Sequence, residues 1–505
     1  MQRHVPKFFP LFFALQLAVV LLSGCNVGLG AAYTIQKQNL EIHFLSTPEP
    51  HLAVRCAYQL LNSGNQPLQN VRIVVPSLEG FHRAVTAAEW NGKPLDMRLV
   101  GTATPTDVGD TIELQWTDAW KPKQKRTLIL SYELSTGSHL GSFLAVAPEA
   151  FFAYPDSWNP KLLAPKGTFG AGGDAPKQWN ISVRVPAGFL VHASGSSAKK
   201  SSSHGEIVYS FPQNAGSFAP FAAGGKYVEK EVHADGERIL FWTLQPVDPQ
   251  AAKNAAAAIS RRAHYYEAEY GKGGKEDRAI RLLECAIPTQ NFGCGALPQT
   301  IFVHQAWIAR GLKDDKFYDD ANFELAYTWF GGVSRVRFDG YPLPMDSAAP
   351  YAGWEAQARE EGGESRAARI RMLLTDFDKD AAECKDKIIL PRPAASQSCS
   401  YSAAWTKSGL FFFALEDKIG RKEFHEALKN MVQYRRARDF SIEDLISSIE
   451  AESHQQQGPF VRQWLKDRGV PEEFRVRYSG NATPAENSSP NSNTSSNPNP
   501  KETQP

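Results

Sequence analysis

The chain has 505 residues, 42% of them apolar and 22% charged, with a formal net charge of +1. That is the composition of a globular protein with enough apolar material for real cores, about three domains at ~150 residues each. The balanced charge, without a run of like charges, gives no case for a nucleic-acid partner.

The N-terminus is the first informative segment. Arg3, His4 and Lys7 precede "FFPLFFALQLAVVLL", an apolar run too short and too punctuated for a comfortable membrane span. It ends in "LLSGC", Leu21 to Cys25. This pattern resembles a bacterial lipobox, which implies cleavage before Cys25 and acylation of its thiol. Residues 1–24 then form a lipoprotein signal peptide and 25–32 a tether, and the membrane becomes a partner through the lipid. Stable attachment needs more than one acyl chain. The expected location is the extracytoplasmic side of a bacterial cell envelope. Asn26 is not the Asp associated with inner-membrane retention, which favours the outer membrane.

An oxidising compartment permits disulfides among the other five cysteines, Cys56, Cys285, Cys294, Cys384 and Cys399. An odd count leaves at least one thiol free or paired between chains. Cys384 and Cys399 flank a Pro-containing loop and are the better candidate pair, while Cys285 and Cys294 also bracket a closable loop. No CxxC occurs, which argues against a thiolate zinc site.

Residues 33–233 read as β structure. "NLEIHFL", "AVRCAYQLL", "VRIVVP", "TIELQWT" and "RTLILSYEL" are β-branched or aromatic runs bounded by turn residues, and "WNISVRVP", "EIVYSFP" and "KYVEKEV" continue the set. Such spacing predicts an antiparallel sandwich or folded, saddle-like sheet. "GSSAKKSSSHG" reads as a flexible loop between two strands.

From residue 234 to 478 the pattern changes. A helix is expected from an N-cap at Asn254 to Gly271, with Ile259, Ala263, Tyr266 and Tyr270 on one face. "AIRLLECAIP" and "QTIFVHQAW" read as strands. A helix opening at Asp319 or Asp320 should end at the Gly331–Gly332 pair. Helices then follow over 351–376, 403–419, 421–434, 442–450 and 459–468. Residues 479–505 lack large apolar side chains and cannot bury enough surface to offset ordering, so a disordered tail is expected.

The chemistry concentrates in "NFELAYTWFGG", Asn322 to Gly332. A peptidase zinc site of the HExxH type needs two His one helical turn apart, a third protein ligand and an open fourth position. Glu324 stands where the general base belongs, but Phe323 and Tyr327 stand at the two His positions. Phe323 has no donor atom, and a phenol with a pKa of about 10 rarely ligates at neutral pH. Both residues also suit plain core packing. The twelve His are scattered, with no two within one helical turn, so no local pair builds a second site.

Around this stretch the sequence resembles the aminopeptidase N (membrane alanyl aminopeptidase) family of gluzincins. That family's motif, H-E-L-A-H-Q-W-F-G-N, aligns with Phe323-Glu324-Leu325-Ala326-Tyr327-Thr328-Trp329-Phe330-Gly331-Gly332. The family's third ligand, a Glu in W-L-N-E-G-F-A, falls at Asp346. Its amine-recognition motif G-A-M-E-N falls on Gly295, Ala296, Leu297, Pro298 and Gln299, with Pro298 at the Glu. Its oxyanion Tyr in Y-x-K-G falls on Trp405, followed by Thr406, Lys407 and Ser408.

The resemblance implies an α+β protein: the β domain over 33–233, a thermolysin-like α/β domain over 234–478, and no large C-terminal helical domain. Five of the six chemistry-bearing positions differ from the family's residues, at Pro298, Phe323, Tyr327, Asp346 and Trp405. A lone Glu324 has no metal-bound water to activate. The expectation is a lipid-anchored, catalytically inactive homologue that binds a peptide or protein, with no cofactor. The alternative is an active aminopeptidase with an atypical zinc site. No nucleophile elbow, phosphate loop or dinucleotide fingerprint supports another enzyme class.

Overall fold

The computed structural model describes residues 32–76, 82–102, 109–135, 144–153, 158–163, 176, 178–194, 198–203, 205–214, 220–273, 279–285, 296–297, 299–313, 315–333, 335–336, 345–382, 401–434, 439–440 and 442–479. Cys25, Gly295, Pro298, Cys384 and Cys399 lie outside the described residues, as does the tail from 480.

The chain opens with strands Thr34–Leu45 (β1), His51–Leu61 (β2), Leu68–Pro76 (β3), His82–Trp90 (β4) and Lys93–Pro94 (β5). Met97–Thr102 (β6), Gly109–Trp120 (β7) and Lys125–Ser135 (β8) follow. Leu144–Ala147 (β9), Ala150–Ala153 (β10) and Lys161–Leu163 (β11) are shorter. The first domain closes with Gln178–Pro186 (β12), Leu190–Ala193 (β13), Lys199–Ser203 (β14), Glu206–Asn214 (β15) and Ala222–Gly225 (β16).

Strict alternation decides which face each long strand buries. In β2, Leu52, Val54, Cys56, Tyr58 and Leu60 point inward and Arg55 and Gln59 face water. Eight strands line up as β14-β15-β12-β1-β2-β8-β4-β5, and two four-stranded sheets, β11-β3-β7-β6 and β13-β16-β10-β9, accompany them. Every ladder of the large sheet is antiparallel except β1–β12, whose parallel register runs from Gln38↔Trp179 to His43↔Arg184. The long connection between them allows the return to the same end.

One segment read as a loop is a strand. β14 pairs with β15 at the sheet's edge, where water on the outer side leaves Lys199 and Lys200 exposed and removes any need for an apolar pattern. Cys56 is a free, buried thiol beside Gln38 Nε2 at 3.2 Å; burial pushes it up to about 12, so it is inert. Cys285 is disulfide-bonded.

The second domain is built on a five-stranded sheet. Val228–Ala234 (β17) and Glu237–Thr243 (β18) form a hairpin around Asp235 and Gly236, both with positive φ. The division expected after residue 233 runs through this hairpin, because β17 pairs along its whole length with β18. Ala279–Glu284 (β19), Ala296–Leu297 (β20) and Thr300–Val303 (β21) complete the order β17-β18-β19-β21-β20. β18, β19 and β21 run parallel, and β20 is an antiparallel edge.

Helix Pro249–Tyr270 (α1) packs its face of Ala252, Ala255, Ala256, Ile259, Ala263 and Tyr266 into the core. It starts earlier than Asn254: Asp248 is the N-cap, its carboxylate accepting from Ala251 N at 2.8 Å, with Pro249 in the first turn. The strand read through "HQAW" stops at Val303, where His304 caps the short helix Gln305–Ala309 (α2).

Asp315–Ala326 (α3) comes next, then Met345–Glu361 (α4) and Gly363–Ala382 (α5). Gly362, at φ 98°, breaks what the sequence presents as one helix into α4 and α5. Tyr401–Ile419 (α6), Arg421–Tyr434 (α7), Ile442–Ser453 (α8), Gly458–Lys466 (α9) and Glu472–Tyr478 (α10) follow. The last was missed because it spans only two turns.

Each domain has its own core. A third apolar cluster joins them, with Phe152 and Phe221 of the first domain against Leu240 and Phe302 of the second. His192 Nε2 sits 3.0 Å from Thr300 Oγ1 at the same seam, and Tyr227 donates to the Glu284 carbonyl at 2.9 Å. The sheet-rich domain is thus fastened to the helical one beside the edge that carries β20.

Candidate active-site cleft

Helix α3 carries the central motif, and its neighbours hold it firmly. Tyr266 of α1 donates a 2.6 Å hydrogen bond to the Asn322 carbonyl. α4 crosses so closely that a Cβ at Gly353 would lie 2.7 Å from Phe323 Cβ. No real side chain fits there, so glycine is required for the helix contact. We expect Gly353→Ala to lower stability by about 1–3 kcal/mol through overpacking, read as a lower Tm with unchanged secondary structure.

The α-helix does not run to the glycine pair. It stops at Ala326, and Thr328–Val333 form a π-helical turn that contains Gly331 and Gly332. Tyr327 N–H reaches the Glu324 carbonyl three residues back at 3.3 Å. The start of the turn is pinned twice. Trp329 Nε1 donates to the Gly271 carbonyl at 2.7 Å, and Thr328 Oγ1 accepts from Gln299 N at 2.9 Å. Gln299 has a left-handed φ of 59°. That bond ties the segment after Ala296 and Leu297 directly to the end of the motif helix.

Of the sequence-predicted segments, the structure joins the one ending at Gln299 to the one carrying Thr328. Ala296 and Leu297 form the edge strand β20, with Leu297 buried, and Gln299 follows it. Phe323, Glu324 and Tyr327 are half-buried, while Leu325 and Ala326 are buried. Asp346 starts α4 and Trp405 lies in the first turn of α6. Their side chains lie outside what the structure describes. Lys407 is buried, donates to the Asp467 carbonyl at 2.7 Å, and is brought down to about 8 by burial, partly offset by Asp467.

The donor set does not fit zinc. Phe323 has no lone pair to offer, and Tyr327 offers only a phenol. The residues at these two positions cannot replace the paired imidazoles that zinc chemistry of this type requires.

A second constellation, which the sequence did not reveal, lies among the helices of the second domain. Glu355, Glu416 and His425 place their donor atoms within 4.8 Å of one another, all buried. Arg366 already occupies this cluster, pairing with Glu355 at 3.0 Å, Glu416 at 2.7 Å and Asp417 at 3.1 Å. Tyr351 O–H donates to Glu416 at 3.0 Å, and its oxygen lies 3.0 Å from His425 Nε2. His425 Nδ1 meets Glu269 at 2.7 Å, and this hydrogen bond holds the Glu269 carboxyl down to about 2. Burial, then the like charge of Glu416, raises Glu355. Four carboxylates thus face Arg366, Arg421, Arg359 and His425. An internally compensated network has no use for a cation, so we read it as structural.

No protein-family model matches the sequence, and no curated protein matches it. Solved structures do. An M1 zinc metallopeptidase from Deinococcus radiodurans superposes with a TM-score of 0.58 at 16% identity, over 87% of this chain and 95% of that one. A mutant of that enzyme bound to a Tyr-Ser-Ala substrate gives the same figures. Native yeast LTA4 hydrolase superposes at 0.63 with 12% identity, over 87% of this chain and 69% of that one. The chain has the two-part α+β fold of the M1 zinc metallopeptidases, a sheet-rich domain followed by a helical one.

Proposed function

We propose that this chain is a catalytically silent relative of the M1 zinc aminopeptidases, held in the bacterial cell envelope by an acylated Cys25. It acts by binding a peptide or protein, with the cleft between β20 and α3 as the contact surface. The observation that carries this reading is Phe323. It occupies the first ligand position of a motif helix packed at van der Waals contact against α4. Tyr327 at the second position and Pro298 at the amine-recognition position support it. Glu324 keeps the place of a general base without a metal-bound water to deprotonate.

The purified full chain should hold no stoichiometric zinc by metal analysis and hydrolyse no aminoacyl substrate. Chelator-sensitive peptidase activity abolished by Glu324→Gln would overturn the reading and favour an active enzyme with an atypical metal site.

The anchor is tested separately. Cys25→Ser should leave an uncleaved precursor or release the protein from the membrane fraction. Unchanged mature mass and membrane partition in that variant would refute acylation at Cys25.

A further inference from the structure

The turn between β7 and β8 has the sequence Lys121-Pro122-Lys123-Gln124-Lys125-Arg126. Lys121, Lys123 and Lys125 are exposed, and so is Lys93 at the start of β5. The two turns touch: Asn91 N donates to the Thr127 carbonyl at 2.9 Å, and Asn91 Oδ1 accepts from Thr127 N at 3.0 Å. Five cations therefore share one tip of the first domain with two nearby exposed acids, Asp96 and Asp118. Among the described residues, no carboxylate pairs with any of the four lysines.

The tip is rigid. Trp120 Nε1 donates to the Gln124 carbonyl at 2.8 Å, and Gln124 Oε1 accepts from Lys121 N and from Arg126. Trp90 and Trp116 stack beneath it at 4.0 Å, with Trp120 edge-on. Lysines on a stiff turn present their charge outward at little ordering cost.

The N-terminal end of the first domain lies at the same place. Asn62 N bonds the Gln124 carbonyl at 3.1 Å and Asn62 O accepts from Lys123 N at 2.8 Å. Two residues on, Gly64 N bonds the Ala32 carbonyl at 3.1 Å. Cys25 precedes Ala32 by seven residues, a reach of about 25 Å fully extended. A chain anchored at Cys25 therefore brings this tip, and no other basic tip the described residues carry beside Ala32, to the bilayer.

We propose that the Lys93–Lys121–Lys123–Lys125 tip rests on anionic phospholipid headgroups. The nearness of the bilayer depends on the acylated-Cys25 reading; the affinity of the tip for anionic lipid does not. Each lysine near an anionic surface is worth about fivefold in binding, so three charge reversals should cost on the order of 100-fold or more.

The test uses the full chain carrying Cys25→Ser, so that no acyl chain contributes. Co-sedimentation is measured with phosphatidylglycerol-rich and with pure phosphatidylcholine vesicles, at low and high salt. The proposal expects a preference for anionic vesicles that high salt abolishes, and loss of that preference in K121E/K123E/K125E with unchanged thermal unfolding. Equal binding to both lipids regardless of salt would mean that only the apolar leader binds, and would overturn it. So would a triple variant that keeps the anionic preference, or binding to heparin without binding to anionic vesicles. Failure of acylation at Cys25 in cells would remove the anchor reading and leave the vesicle result standing.

Discussion

Arg366→Met should cost about 3–5 kcal/mol, because it leaves buried Glu355 and Glu416 with only the more distant Arg421 and removes a partner of half-buried Asp417. The melting temperature should fall by on the order of 10 °C. Lost packing alone would give a penalty independent of pH. Lost charge compensation gives a different signature, and the sign can be worked out. Burial and the like charge of Glu416 already raise Glu355 in the fold, and losing Arg366 removes a charge that opposes this. The variant is then relatively favoured at low pH and loses stability as pH rises. The gap between variant and wild type should therefore be widest near neutrality and narrow towards pH ~4. Glu269 behaves oppositely in the unmodified protein. Its carboxyl is held down to about 2 by His425, so its contribution is present above the ordinary carboxylate range and is lost as pH falls through that value. A pH-independent difference for Arg366→Met would mean that the network is packing rather than electrostatics.

The network also shows where sequence reading stops. Glu269, Tyr351, Arg366, Glu416 and His425 come from five different helices and are separated by up to 156 residues. Little local marks them, and the four charged or titratable residues among them read as ordinary helix-surface groups. The one available signal was Glu416 following the apolar run "GLFFFAL". By contrast, the candidate site's residues lie in short motifs with fixed order. Gln299 and Thr328 are 29 residues apart, yet both motifs containing them were recognisable by themselves, and the structure joins them by one hydrogen bond.

Element type followed from periodicity for long segments such as β2, α6 and α7. It failed at β14, where an exposed edge removes the apolar pattern, and at the end of α3. There the Gly331–Gly332 pair reads as a cap, but tertiary bonds from Trp329 and Thr328 keep the chain coiling in a π turn. The basic tip was overlooked for a different reason. Pro122 and Gln124 interrupt it, so it makes no run of like charge, and its coherence appears only when Lys93 is brought alongside.

Restoring the family's ligands should separate metal binding from catalysis. Phe323→His and Tyr327→His place two imidazoles at the end of α3, and Asp346→Glu lengthens the acid at the start of α4. The two helices meet closely where Gly353 packs on Phe323. Three nitrogen and oxygen donors in that arrangement suffice for zinc. The triple variant should take up one equivalent with a Kd of about 1 μM or tighter, a binding free energy of about −8 kcal/mol at 1 M standard state. Metal analysis and chelator-dependent Tm would read it. Hydrolysis should stay poor nonetheless. Trp405 offers an indole N–H in place of a phenol O–H, and a lost oxyanion donor costs about 100- to 1,000-fold. Pro298 has no carboxylate for the substrate amine, and the loss of that charged partner weakens binding further. A folded triple variant without zinc would show that residues 323, 327 and 346 do not converge. A zinc-loaded variant with efficient aminopeptidase activity would show that Pro298 and Trp405 were never the obstacle, and that residues 323, 327 and 346 alone separate this site from a working one.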